Sequence, residues 1–437
     1  LDDLHPYIYR TRDGGKSWRK ITNGLPDNAP VNVIREDLVR TGLLFAGTES
    51  SVCVSFNDGD DWQPLQLNLP HTSMRDLAIH GDDLVVGTHG RSFWILDDIT
   101  PLRQLTAEVA KAEVYLYRPQ AAYRVRWNRN TDTPLPPEVP AGKNPPDGAI
   151  LDYFLGSAAT GPVTLEILDF EGKLVRRFSS TDQPEPIEKD LNVPTYWVRP
   201  PQILSAEVGM HRFVWDLHYP APDSLAHEYP IAAIYRDTPR YPLGPAVLAG
   251  RYMVKLTVGG RSYTQPLVVK MDPRVKTPPA GLAQQFAIES GISKGMNEDF
   301  VALKQVESLR AQLKERKARA GQLETAEAIS ALDKKAEALE GKAETSVFGL
   351  APRGIEAETL SRLNLELGQL LRVVDSADAA PTTQAVAAYG ELEHALRQLL
   401  ARWKELRSHD VAALNEQLKK VNLPPITVLP TPSAVGP

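Results

Sequence analysis

The sequence predicts a multidomain, mainly β chain with an α part: the last two or three blades of an Asp-box β-propeller, an immunoglobulin- or fibronectin-like β-sandwich, and a C-terminal helical bundle. Three observations carry this. A turn motif recurs near the front at about the spacing of one blade. Alternating strands behind Pro-rich chain fill the middle, and three apolar stripes at helical spacing fill the end.

The first copy of the turn motif is Thr11-Arg12-Asp13-Gly14-Gly15-Lys16-Ser17-Trp18, and a degenerate copy is Ser55-Phe56-Asn57-Asp58-Gly59-Asp60-Asp61-Trp62. The glycines supply the positive φ of a tight hairpin, and the Asp or Asn accepts backbone N–H bonds inside it. Each Trp is expected to close over the apolar layer of its blade. Thr11, Asp13, Gly15 and Trp18, with Ser55, Asn57, Gly59 and Trp62, are therefore read as structural. A second register agrees: Leu44 to Thr48 followed by Val52 to Ser55 is echoed by Val85 to Thr88 followed by Phe93 to Leu96. A period of roughly 40 residues suits a four-stranded blade. Asp97-Asp98-Ile99-Thr100-Pro101 then leaves the repeat, so residues 1–105 are assigned to the blades.

Prolines are dense from Thr133 to Pro146, which excludes helix, and residues 106–148 are read as a connection. Strand patterns follow at Ile150 to Leu155, Val163 to Leu168, Leu174 to Phe178, Gly209 to Leu217 and Tyr252 to Val258, with hairpins at Glu171-Gly172 and Gly259-Gly260. Residues 149–272 are the expected sandwich. Beyond Asp272-Pro273, Phe300, Leu303, Val306, Leu309 and Leu313 share one helix face. So do Leu360, Leu363, Leu367, Leu370 and Val374, and again Leu392, Leu396, Leu399, Trp403 and Leu406. Residues 273–426 are the expected bundle, with a helix beginning at Pro381 and a mobile tail at 427–437. The basic run from Lys304 to Arg319 is expected to be answered by Glu324, Glu327, Glu337 and Glu340.

Composition bounds the function. The 437 residues carry a net charge of −6, against non-specific nucleic-acid binding, and no apolar run is long enough to span a bilayer. A single cysteine, Cys53, excludes an intramolecular disulfide and a Cys-based metal cluster, and it reads as a small buried strand residue. No Gly-rich phosphate loop and no nucleophile elbow is present, so no cofactor is expected.

The two turn motifs and the run from Gly87 to Asp98, Gly-Thr-His-Gly-Arg-Ser-Phe-Trp-Ile-Leu-Asp-Asp, resemble the bacterial proteins with sortilin-type (VPS10-like) propellers built from BNR or Asp-box repeats, often labelled glycosyl hydrolases. Ala249-Gly250-Arg251-Tyr252 and Ala401 to Leu406 resemble the tails of such proteins more loosely. The resemblance implies a C-terminal portion of an exported protein, secreted or periplasmic, whose propeller binds a protein or carbohydrate ligand. Two or three blades cannot close a ring, so upstream blades or another chain are expected to complete it. The alternatives are a sialidase- or xyloglucanase-like glycoside hydrolase with its catalytic residues mainly in upstream blades, and a structural assembly protein.

No catalytic set is identified. His89-Gly90-Arg91 is the candidate ligand site, because a flexible residue there separates two groups able to bind an anion or a sugar hydroxyl. His89 and Arg91 are expected on the side away from the Asp-boxes. Asp97 and Asp98 read as a turn rather than an acid/base pair. His71, His80 and His89, and His211, His218 and His227 with Asp216 and Glu228, lack metal-ligand spacing. Trp215 and Tyr219 read as packing rather than a sugar platform.

Overall fold

In the computed structural model the described residues are 3–126, 136, 138–139, 142–184, 187, 191, 193–229, 236–320, 323–341 and 359–428. The N-terminal part consists of several β-sheets and the C-terminal part of long helices.

Tyr9–Arg10 (β1) pairs with Arg19–Lys20 (β2) across the first turn motif. Val31–Glu36 (β3), Leu44–Thr48 (β4), Val52–Ser55 (β5) and Gln63–Pro64 (β6) form a four-stranded antiparallel sheet, the second motif turning β5 into β6. Met74–His80 (β7), Asp83–Thr88 (β8) and Phe93–Leu96 (β9) form a three-stranded one. The two share a register. Val31 and Val33 flank a bulge opposite Thr48 and Gly47, as Met74 and Asp76 do opposite Thr88 and Gly87. Gly47↔Val52, Ala46↔Cys53, Phe45↔Val54 and Leu44↔Ser55 match Gly87↔Phe93, Val86↔Trp94, Val85↔Ile95 and Leu84↔Leu96.

Packing explains the apolar runs. β4 and β5 are buried along their whole length because both faces are covered. Phe45, Val52 and Val54 pack on Leu77, Leu84 and Val86 of the second sheet. On the other face Leu44, Ala46 and Cys53 pack with Ile8, Ile21, Leu25 and Trp62. After β9, Asp98 turns the chain at φ 58° into Thr100–Gln104 (α1). Arg103 there pairs with Asp37 and Asp82, and Arg40 donates to the carbonyls of Leu102 and Leu105.

Val114–Leu116 (β10), Ala122–Arg124 (β11), Ala149–Leu155 (β12), Thr164–Leu168 (β13), Leu174–Ser179 (β14), Gly209–Trp215 (β15), Gly250–Val258 (β16) and Arg261–Met271 (β17) make two sheets, ordered β10-β12-β15 and β11-β17-β16-β13-β14. Leu151, Tyr153, Phe213 and Trp215 of one face Leu165, Ile167, Val254 and Leu256 of the other across a single core. β10 and β11 lie in the stretch expected to be a connection. Each is only three residues long and is held by a distant partner, β12 or β17, so no local pattern marks it. Residues 133–135, 137 and 140–141 of the Pro-rich run lie outside the described residues.

Pro279–Arg319 (α2), Leu323–Glu340 (α3), Leu360–Val374 (α4), Thr383–Glu405 (α5) and Val411–Lys420 (α6) bury the three expected stripes in one core, except Phe300, which lies outside it with Lys304 over its ring. α5 begins at Thr383 rather than at Pro381, because the Thr382 side chain accepts from Ala385 N–H. Arg310 meets the acidic helix, pairing with the expected Glu337 and Glu340 and with Asp333. Other bases of the run are answered from α2 itself, by Glu307 and Glu315. Residues 429–437 of the expected tail lie outside the described residues.

Arginines tie the parts together. Arg212 of β15 pairs with the buried Asp152 and donates to the carbonyls of Asp97 and Asp98 at the end of the second sheet. Arg124 and Arg126 pair with Asp378, and Arg126 also with Asp375, at the end of α4. Charge-assisted bonds of this kind fix orientation as well as contact.

Candidate functional site

Both turn motifs contain one hydrogen-bond circuit. In the first, Gly15 N–H donates to Thr11 Oγ1 at 2.9 Å, Ser17 N–H to Asp13 Oδ1 at 2.9 Å, and Ser17 Oγ to Asp13 Oδ2 at 2.7 Å. In the second, Gly59 N–H donates to Ser55 Oγ and Asp61 N–H to Asn57 Oδ1, each at 2.9 Å. The donors around Asp13 hold its carboxyl down at about 2. The tryptophans differ. Trp62 is 4% exposed and donates to the carbonyl of Ile21 at 2.9 Å, whereas Trp18 is 60% exposed. Trp18 therefore does not close over an apolar layer, in contrast to the expectation: β1 and β2, which flank its turn, form a sheet of two strands among the described residues.

The motif between β5 and β6 lies at one end of β5, and the turn from β4 to β5 at the other. By the shared register the β8–β9 turn, residues 89–92, is the counterpart of the β4–β5 turn. His89 and Arg91 therefore sit at the end of the sheets away from the second motif. Gly90 between them has φ 72°, a conformation in which a side chain would be strained. Ser73 O accepts from His89 N–H at 2.9 Å, Thr72 Oγ1 donates to His89 O at 3.1 Å, and Trp94 Nε1 donates to Arg91 O at 2.9 Å. The backbone is thus pinned while both side chains stay exposed. Among the described residues the Arg91 guanidinium has no hydrogen bond or ion pair.

A polar group missed in the sequence reading adjoins this turn. Glu49, in the β4–β5 turn, is held below the ordinary carboxylate range by bonds from Asn32 and Ser73 and by the nearby Arg75 and His89. Asn32 Nδ2 donates to Ser73 Oγ at 3.1 Å and Met74 O at 3.2 Å, and Arg75 lies 3.4 Å from Glu49. Asn32 and Arg75 occupy equivalent bulge positions of β3 and β7. That equivalence depends on strand register, and no local sequence signal announces it.

Asp98 is buried and accepts from Thr100 N–H at 2.9 Å. Burial pushes the carboxyls of both Asp97 and Asp98 up, with Asp83 adding to it for Asp97. Trp215 is fully buried, with Nε1 donating to His218 O at 3.0 Å. No group of three His, Cys, Asp or Glu side chains able to hold a metal occurs among the described residues. Burial also raises the α2 carboxyls Glu289, to about 7, and Asp299, to about 8, inside the bundle. Among the described residues no helix is long and apolar enough to cross a membrane.

No family model and no curated protein matches the chain. Among solved structures it is similar to the extracellular domain of BT4673 from B. thetaiotaomicron, described as a hybrid two component system. The identity is 9%, over 63% of this chain and 29% of that one, with a TM-score of 0.19. The chain thus spans under a third of that protein's length, and a score of that size establishes no shared fold.

Proposed function

We propose that this chain is the C-terminal portion of an exported Asp-box propeller protein that binds a protein or glycan ligand through the end of its sheets bearing His89 and Arg91. The observation that carries the reading is the Arg91 guanidinium, exposed and unpaired on a turn whose backbone is pinned by Ser73, Thr72 and Trp94. A guanidinium free of internal partners offers a fork of donors to a carboxylate or to sugar hydroxyls. Glu49, which lies near His89, supplies an acceptor at the same end of the sheets. The Asp-box turns act in this reading as folding devices, since their polar atoms are spent on their own backbone.

The test is binding to an array of acidic and neutral oligosaccharides and to an acidic peptide, with wild type, Arg91→Ala and His89→Ala. Arg91→Ala is expected to weaken capture of the acidic probe about tenfold or more, the scale of one lost charge-assisted contact, with an unchanged melting temperature. Equal capture by wild type and Arg91→Ala would overturn this assignment.

A further inference from the structure

The sandwich and the bundle meet at a largely buried cluster of charge. Arg124, at the end of β11, donates through Nη1 to Val247 O at 2.9 Å and through Nη2 to Asp378. Arg126, two residues on, donates from Nε to Asp378 Oδ1 at 3.0 Å and from Nη2 to Asp375 Oδ1 at 2.6 Å. Both aspartates belong to the turn 375–378 between α4 and α5. From the other side Gln285 Nε2 donates to Val374 O at 2.9 Å and Ala377 O at 2.8 Å, and Thr277 Oγ1 to Asp378 O at 2.7 Å, so the turn is seated between β11 and α2. One helical turn after Gln285 stands a third carboxyl, Glu289, which is 1% exposed and has Oε1 unpartnered. Arg126 commits all three of its nitrogens to the turn, Nη1 going to Asp375 O, while Arg124 Nε has no partner.

We propose that Glu289 is a proton-operated catch on the turn 375–378. Two guanidiniums balance Asp375 and Asp378, so a protonated Glu289 adds no charge and the turn stays seated. An ionised Glu289 makes three carboxylates face two guanidiniums: it repels Asp375 and draws Arg124 and Arg126 from the aspartates they hold. The other charged and titratable groups around it are engaged elsewhere. In the linker before α2, Arg274 pairs with Asp272 and Lys276 donates to Pro273 O; Arg372 of α4 pairs with Glu228; and α5 sets the Tyr389 hydroxyl over Gly291. Burial first, and Asp375 after it, raise the Glu289 carboxyl to about 7 against the pull of the two arginines. The folded value lies above the ordinary 4.5, so the stability of the seated state is complete below that value and is lost as pH rises through about 7. The catch is separate from Arg91, and neither assignment depends on the other.

The test uses the full chain with spin labels at Ala377→Cys in the turn and Glu171→Cys in the β13–β14 hairpin, both exposed positions, with Cys53 buried out of reach. The distance between the labels is measured from about pH 5 to about pH 9, which brackets the titration. A single distance is expected at the acid end, with a second population growing in around a midpoint of about 7. Glu289→Gln, neutral at every pH, is expected to keep the single distance throughout; should that variant not fold, Glu289→Met serves the same purpose. Asp299→Asn, which removes the other α2 carboxyl raised by burial, is expected to leave the transition in place. Three results would overturn the proposal: one distance at every pH in the wild type, the same transition in the Glu289 variant, or loss of the transition in Asp299→Asn.

Discussion

The first and second sheets share a bulge, a register and a Gly-Thr turn, yet one is closed and the other open. In both, the threonine caps the turn in the same way, Thr48 Oγ1 donating to Ser51 O and Thr88 Oγ1 to Ser92 O. The difference begins after the third strand. Ser55 to Asp61 turns the first chain back as a fourth strand, whereas Asp97 and Asp98 send the second into α1 and under Arg212. Val52 and Val54 are buried against Leu77, Leu84 and Val86 of the second sheet, while their counterparts Phe93 and Ile95 are 79% and 57% exposed. Two sheets with one strand plan thus separate what the shared plan fixes, the hydrogen-bonded ladder, from what the neighbouring sheet and the turn after it fix, the covering of the faces.

The comparison can be broken most strongly at Trp62. Trp62→Ala removes the side chain that packs with Leu44, Ala46 and Cys53 and leaves a cavity there. The expected cost is about 3–5 kcal/mol, the usual range for a fully buried tryptophan. Trp18→Ala, at an exposed indole, is expected to cost far less, and chemical denaturation of both variants measures the contrast. Equal losses would mean that the two tryptophans are not in the different settings described.

A smaller effect sharpens the same comparison within the turns. Asp13 titrates and its counterpart Asn57 does not, so acid acts directly on the central acceptor of the first circuit and not on that of the second. Asp13 has its folded pKa lowered from 3.8 to about 2, so its stabilising contribution is present above the unfolded value and is lost as pH falls through about 2. Carboxyl-carbon NMR is expected to place its midpoint near 2, and Ser17→Ala, which removes one donor, to move it upward. A midpoint at the ordinary carboxylate value in wild type would contradict the hydrogen-bonded circuit.

Much of the front was legible because its information is local. The two turn motifs and the echo of Leu44 to Thr48 in Val85 to Thr88 are contiguous patterns, and so are the stripes of α4 and α5. What stayed hidden is non-local. β10 and β11 are strands only because β12 and β17 lie beside them. The group of Glu49, Asn32 and Ser73 forms only once a bulge sets β3 beside β7. The exposure of Trp18 follows from the two-stranded sheet it sits on, which the motif itself does not encode. His89 and Arg91 were readable as a polar interruption of apolar strands, although the backbone bonds that pin their turn were not.

The central claim, that the two sheets follow one plan filled in the first and open in the second, is tested most directly by residue-resolved amide exchange on the 437-residue chain alone. Slow exchange is expected at Val52–Ser55, paired along its length by β4 and at Cys53 and Val54 by β6, and fast exchange at those amides of Phe93–Leu96 that point away from β8. Uniformly slow exchange across both strands at every protein concentration would contradict it.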